Sequence, residues 1–138
     1  DLAICRFNIR VAKRSDEKTI LGRVKAILNT YEKNDYKIEL HGSFGRPSKE
    51  MDESQEELFA LLKECCAELK LPMEVIATGG CCDGNNLASL GLPNIDTLGV
   101  RGGNIHSDKE FMYIESLVER AQLSFLLLTK FAEKQGGR

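Results

Sequence analysis

The stretch Leu2-Ala3-Ile4-Cys5-Arg6-Phe7-Asn8-Ile9-Arg10-Val11 alternates, with Ala3, Cys5, Phe7, Ile9 and Val11 on one side and Arg6, Asn8 and Arg10 on the other. A period of two over that length predicts a strand with one buried face. Ser15 or Asp16 can cap a following helix. Along that helix Ile20, Leu21, Val24, Ile27, Leu28 and Tyr31 fall on one stripe. Tyr36, Ile38 and Leu40 then alternate with Lys37, Glu39 and His41, which reads as a second strand. Leu2 to Phe44 is therefore expected to form a β-α-β unit, a crossover that normally sets its two strands parallel in one sheet. The fold class expected is α/β.

Beyond this unit the chain breaks at Gly45-Arg46-Pro47-Ser48, where proline opposes continuation of a strand. A boundary is expected there, giving a segment 1–47 and a second α/β segment 48–138. Ser54 and Glu57 have the spacing of a capping box. Behind them Leu58, Leu61, Leu62, Cys65, Cys66 and Leu69 make an amphipathic helix, so both cysteines are expected as small core residues. Met73 to Ala77 and Asn94 to Gly99 read as short strands, and Asp83 to Leu90 as a short helix closed by Gly91-Leu92-Pro93. A Gly-rich polar loop, 101–108, precedes Ser116 and Glu119, a second capping-box pair. The helix behind it runs to about Ala132 and is apolar most of the way round, with Leu117, Val118, Ala121, Phe125 and Leu128 joined by Leu123, Leu126 and Leu127. Such a helix is expected to be buried on several sides, yet little of the chain remains to cover it.

Bulk properties narrow the function classes. With 138 residues, 42% hydrophobic and 29% charged, the chain has an ordinary globular composition. A net charge of −2 with both signs interspersed argues against a general nucleic-acid or membrane-surface role. No apolar run approaches the roughly 20 residues that span a bilayer. The chain begins at Asp1 without a charged-then-apolar leader, so no targeting signal is visible. Its five cysteines, Cys5 and the adjacent pairs Cys65-Cys66 and Cys81-Cys82, match neither a disulfide framework nor the spacing of a structural zinc site. A reducing, cytoplasmic setting is expected.

Three places can carry chemistry. His106 lies in the Gly-rich loop beside Asp108; imidazole suits zinc, and a nearby carboxylate can orient the ring. The alternative is a surface histidine, and His41 is the only other one. Thr78-Gly79-Gly80-Cys81-Cys82-Asp83-Gly84 can bring backbone N–H groups close to an anionic ligand, or can be a tight turn in which Asp83 only caps a helix. Cys81 or Cys82 could act as a nucleophile, although no spacing supplies a paired base. Arg46, with Arg6 and Asn8 on the polar face of the first strand, can hold a carboxylate bidentately or be a solvated edge residue.

Taken in order, Thr78-Gly79-Gly80 with Asp83, Ser89-Leu90-Gly91-Leu92-Pro93 and Gly102-Gly103-Asn104-Ile105-His106-Ser107-Asp108-Lys109-Glu110 resemble the C-terminal motifs of the dinuclear zinc amidohydrolases. That family includes glutamate carboxypeptidase, acetylornithine deacetylase, succinyl-diaminopimelate desuccinylase and aminoacylase. Phe7-Asn8-Ile9-Arg10 and Gly45-Arg46-Pro47 are similar to its lid strand and Gly-Arg-Pro turn, and the glutamate carboxypeptidase branch is the nearest likeness. The resemblance implies that 1–47 is the second half of a ferredoxin-like β-α-β lid, which often dimerises, and that 48–138 is the C-terminal part of the catalytic domain. It implies that His106 is the last ligand of a two-zinc centre, other divalent metals being possible. Arg46 would hold the substrate carboxylate, with Arg6 and Asn8 nearest it and Gly79, Gly80 and Asp83 lining the pocket. The remaining ligands and the general-base Glu have no counterpart in this chain. Cys81-Cys82 depart from the small residues of relatives.

The function so implied is zinc-assisted cleavage of an amide bond in an N-acyl amino acid or a short peptide with a free carboxylate. The chain alone would be inactive without the N-terminal part of the catalytic domain; a homodimer through the lid is implied, with no nucleic-acid or membrane partner. Two other readings stand beside it: a non-catalytic binding or dimerisation module derived from the same family, and a cysteine-dependent enzyme using Cys81 or Cys82.

Overall fold

Helical periodicity is realised wherever the chain shows it, among residues 2–32 and 37–136, the part that the computed structural model describes. In order these are α1 (Asp16–Glu32), α2 (Glu53–Glu68), α3 (Gly84–Ala88), the two-residue strands β1 (Gly102–Gly103) and β2 (Phe111–Met112), and α4 (Ser116–Gly136). Contacts divide the chain into two compact units. One is Asp1–Glu50 with Ala77–Leu92, the other Met51–Ile76 with Pro93–Arg138.

In the first unit α1 forms where its stripe requires, with Ile20, Leu21, Val24 and Leu28 half-buried while Ile27 and Tyr31 stay exposed. The expected parallel strand pair is not formed among the described residues: neither 2–11 nor 37–44 takes part in a ladder, and Tyr36 lies outside them. Alternation predicts which side chains share a face but supplies neither the neighbouring strand nor the surface that the face must meet. Phe7, on the side expected to be buried, is 60% exposed. The segments 73–77 and 94–99 likewise carry no strand ladder. Gly91, at φ +82, closes the turn after α3, with its N–H donating to Ala88 O and Leu92 N–H to Leu87 O. A left-handed residue there costs glycine nothing.

The second unit holds the hydrophobic core. α2 starts earlier than the Ser54 capping box predicts. Asp52 is its cap, accepting from Gln55 N–H at 2.8 Å. It ends in a Schellman turn: Lys70, at φ 56, donates its N–H to Ala67 O and Leu71 donates to Cys66 O. Leu61, Leu62, Cys65 and Cys66 of α2 form one buried cluster with Leu123 and Leu127 of α4. The stripe expected to lead on α4 faces elsewhere, and Val118, Phe125 and Leu128 are exposed. One helix covers only one side of another.

Two buried polar side chains tie the remaining segments to this helix pair. Gln55 donates from Nε2 to Asn94 O at 2.8 Å and accepts Asn94 N–H on Oε1 at 3.0 Å. Its carboxamide thus completes both backbone groups of one residue in the 93–98 segment. Ser116, wholly buried, accepts Arg101 N–H at 2.9 Å and donates to Tyr113 O at 2.5 Å. It serves the hairpin instead of capping α4, and Glu119 pairs with the Arg101 fork at 3.1 and 3.3 Å. The hairpin is antiparallel, with Gly102 opposite Met112 and Gly103 opposite Phe111. A Cβ at Gly102 would run into the Phe111 carbonyl oxygen, so this pairing requires glycine.

Leu123→Ala is expected to lower the stability of the second unit by about 2–5 kcal/mol, the range for emptying a buried leucine site, read from the urea midpoint of the helical signal. Lys130 Nζ lies 2.9 Å from Glu64 and 2.7 Å from Glu68. Hydrogen bonding to Lys130, followed by its charge, holds the Glu64 carboxyl below the usual carboxylate range. The hydrogen bonds that Lys130 donates to Glu68 and Glu64 raise it above the ordinary lysine range. A depressed carboxylate contributes stability above its unfolded pKa and loses it as pH falls through the folded value. The difference in urea midpoint between the wild-type chain and Lys130→Met should therefore be present at neutral pH and shrink below about pH 4. Because the pair faces solvent, the difference should also shrink in about 1 M salt.

Candidate functional site

In the first unit the Gly45-Arg46-Pro47 turn and the 78–85 loop meet. Arg46 donates from Nη2 to Asp83 Oδ1 at 3.1 Å and from Nη1 to the Cys81 carbonyl at 3.4 Å. Its side chain is 41% exposed, so the guanidinium is held on one side and open on the other. Asp83 stands at the N-cap position of α3, yet its carboxylate makes no capping bond and turns to Arg46 instead. Of the residues singled out from the sequence, Arg46 and Asp83 are thus brought together.

Gly79 accepts a hydrogen bond on its carbonyl oxygen from Arg10 Nη1. Gly80 N–H donates to Thr78 Oγ1 at 3.2 Å. Arg6 and Asn8 are exposed on the 2–11 segment, with no hydrogen bond or ion pair to Arg46 among the described residues. Arg10, on the same polar side of that segment, is the residue that reaches the loop, and alternation alone could not choose among the three.

Sequence reasoning also passed over Asn85, which is buried at 7% exposure. Its Nδ2 donates to Pro47 O at 2.9 Å and its Oδ1 accepts Cys82 N–H at 3.1 Å. The available signal was an asparagine directly after a Gly-rich turn, a position where such side chains satisfy backbone groups. Cys81 is exposed and Cys82 half-buried, with Cys82 Sγ 3.6 Å from Asn85 Oδ1. No hydrogen bond joins either thiol to a histidine or carboxylate among the described residues, so the geometry offers no base for a cysteine nucleophile.

His106 belongs to the second unit, in the loop of the β1-β2 hairpin. It sits at φ 65, after Asn104 at φ 54. The loop is braced from within: Ser107 Oγ donates to Asn104 O at 2.7 Å and accepts Lys109 N–H at 3.2 Å, and Asn104 Nδ2 donates to Lys109 O at 3.3 Å. The imidazole is exposed and makes no hydrogen bond to Asp108 among the described residues. His41, in the first unit, lies 3.3 Å from Glu39, whose carboxyl is held below its usual range by Lys37 first and His41 second. Among the described residues no three His, Cys, Asp or Glu side chains gather to hold a metal ion. The residues present do not by themselves make a metal centre, since zinc takes three or four protein ligands. No helix among the described residues is long and apolar enough to cross a membrane.

The arrangement thus offers an open guanidinium suited to a carboxylate, flanked by the Gly79-Gly80 turn, and separately an exposed imidazole on a braced hairpin. In comparison with known proteins, the chain matches the family model described as peptidase family M20/M25/M40 over residues 5–130. Neither a curated protein nor a solved structure matches the chain. The family match covers the Arg46 turn, the 78–85 loop and the His106 hairpin alike. With nearly the whole chain inside it, the protein belongs to the M20/M25/M40 peptidases, a family of hydrolases acting on peptide and amide bonds.

Proposed function

We propose that this chain is the C-terminal portion of a zinc-dependent amide hydrolase of carboxypeptidase or deacetylase type. Its substrate is an N-acyl amino acid or a short peptide with a free carboxylate. The observation that carries this reading is Arg46, whose guanidinium already engages a carboxylate, that of Asp83, while 41% of its side chain stays open. A planar fork in that setting suits bidentate recognition of a substrate carboxylate. Gly79, Gly80 and Asp83 line the pocket in this reading, with Arg6 and Asn8 on its approach.

His106 is read as one ligand of the zinc centre, supported by its exposed ring on a self-braced loop. The other ligands and the general base belong to the preceding part of the catalytic domain, so this chain alone is inactive. Residues 1–47 are read as the second half of a lid through which the enzyme dimerises, and 48–138 as the returning part of the catalytic domain. The cytoplasm is the proposed compartment.

In the enzyme expressed from its full reading frame, Arg46→Met should raise KM for an N-acetyl amino acid by about 10- to 100-fold, the worth of a hydrogen bond to a charged group. The effect on kcat should be smaller, because this contact is remote from the scissile bond. An unchanged KM would remove Arg46 from the substrate site. Elemental analysis should find about two zinc ions per subunit in that enzyme, fewer in His106→Ala and almost none in the 138-residue chain. A metal-free full-length protein would instead favour a non-catalytic binding or dimerisation module.

A further inference from the structure

We propose that Asn85 is a positioning residue for Arg46, acting through the carbonyl of Pro47; this rests on Arg46 being the carboxylate-binding residue. Asn85 is buried and its carboxamide holds backbone at both ends: Nδ2 donates to Pro47 O at 2.9 Å, and Oδ1 accepts Cys82 N–H at 3.1 Å, with the Cys82 thiol at 3.6 Å from the same oxygen. One amide therefore bolts the turn that carries Arg46 to the loop that carries Asp83. Proline makes the bolt effective. Its ring fixes φ at Pro47, and its Cδ confines Arg46 to extended backbone. Holding the Pro47 carbonyl removes the remaining backbone freedom of that residue and so places the Arg46 Cα. The guanidinium then reaches Asp83 Oδ1 at 3.1 Å and the Cys81 carbonyl at 3.4 Å, both on the loop that Asn85 grips. Asp83 keeps Arg46 oriented by charge, and Asn85 keeps both ends of that pair in register.

The substitution that separates this role from simple loop bracing is Asn85→Asp. A carboxylate still accepts Cys82 N–H, but at about pH 8, where aspartate is ionised, it cannot donate to Pro47 O. The test is phenylglyoxal labelling of the protein expressed from its full reading frame, read at each arginine by peptide mass spectrometry. Arg101, forked onto Glu119 in the other unit, is the internal reference. Both Asn85→Asp and Asn85→Ala should raise the labelling rate of Arg46 about fivefold, the population change that follows loss of one ordinary hydrogen bond, with Arg101 unchanged. Wild-type labelling of Arg46 in Asn85→Asp would overturn the proposal. So would a rise at Arg46 and Arg101 together, which marks general loosening. The assay needs no substrate, so it fails independently of the reading on which it rests. If Arg46 labelling responds while KM responds to neither Asn85→Asp nor Arg46→Met, the positioning contact stands and the substrate reading falls.

Discussion

The seam between α2 and α4 is the constraint on which the second unit depends. Leu61, Leu62, Cys65 and Cys66 meet Leu123 and Leu127 there, and they are the buried hydrophobic residues of the described chain. Leu71, Met73, Ile95 and Leu98 pack against this helix pair, and buried polar groups fix the backbone of the segments around it. Gln55 on α2 holds Asn94, and Ser116 at the start of α4 holds Arg101 and Tyr113. A buried amide or hydroxyl serves such a purpose because leaving a backbone group unpaired away from water is costly. The hairpin that presents His106 is thus positioned by a hydroxyl on a helix whose own place is set by apolar packing.

The helices were legible in the sequence because a 3.6-residue period is a local property: Leu61, Leu62, Cys65 and Cys66 announce one face whatever lies opposite. Their exact starts were less so, since Asp52, Ser54 and Ser116 are all good caps and the choice among them depends on what else each hydroxyl or carboxylate can reach. Strands are a different matter. The alternation from Leu2 to Val11 is plain, but a strand exists only with its neighbour, and the described residues provide none. The apolar belt of α4 shows the same dependence. Its composition announces burial on several sides, while α2 can cover only the line through Leu123 and Leu127.

In the candidate site, the residue types were legible and their partnerships were not. Arg46 and Asp83 were each visible as charged residues beside turns, but nothing in a separation of 37 positions says that they pair. Asn85 and Arg10 were invisible as site residues because their partners, Pro47 O and Gly79 O, are backbone atoms, which have no sequence identity to read. The ordered motifs carried the family where individual spacings could not. A match over residues 5–130 integrates many weak signals, whereas a single Gly-rich turn is shared by unrelated folds.

Cys65 and Cys66 give the α2–α4 seam a built-in chemical reporter. Burial pushes both thiols up from their ordinary pKa, so they are poor nucleophiles as well as inaccessible ones. Cys5 and Cys81 are exposed and open to an alkylating reagent from the outset. A time course of alkylation therefore separates into a prompt phase from the surface thiols and a slow phase gated by opening of the helix pair. The slow phase measures the free energy of that opening directly, as amide exchange does for the backbone. Because the two reporting sulfurs sit side by side on α2, the chain carries a gauge of its core that needs no added label.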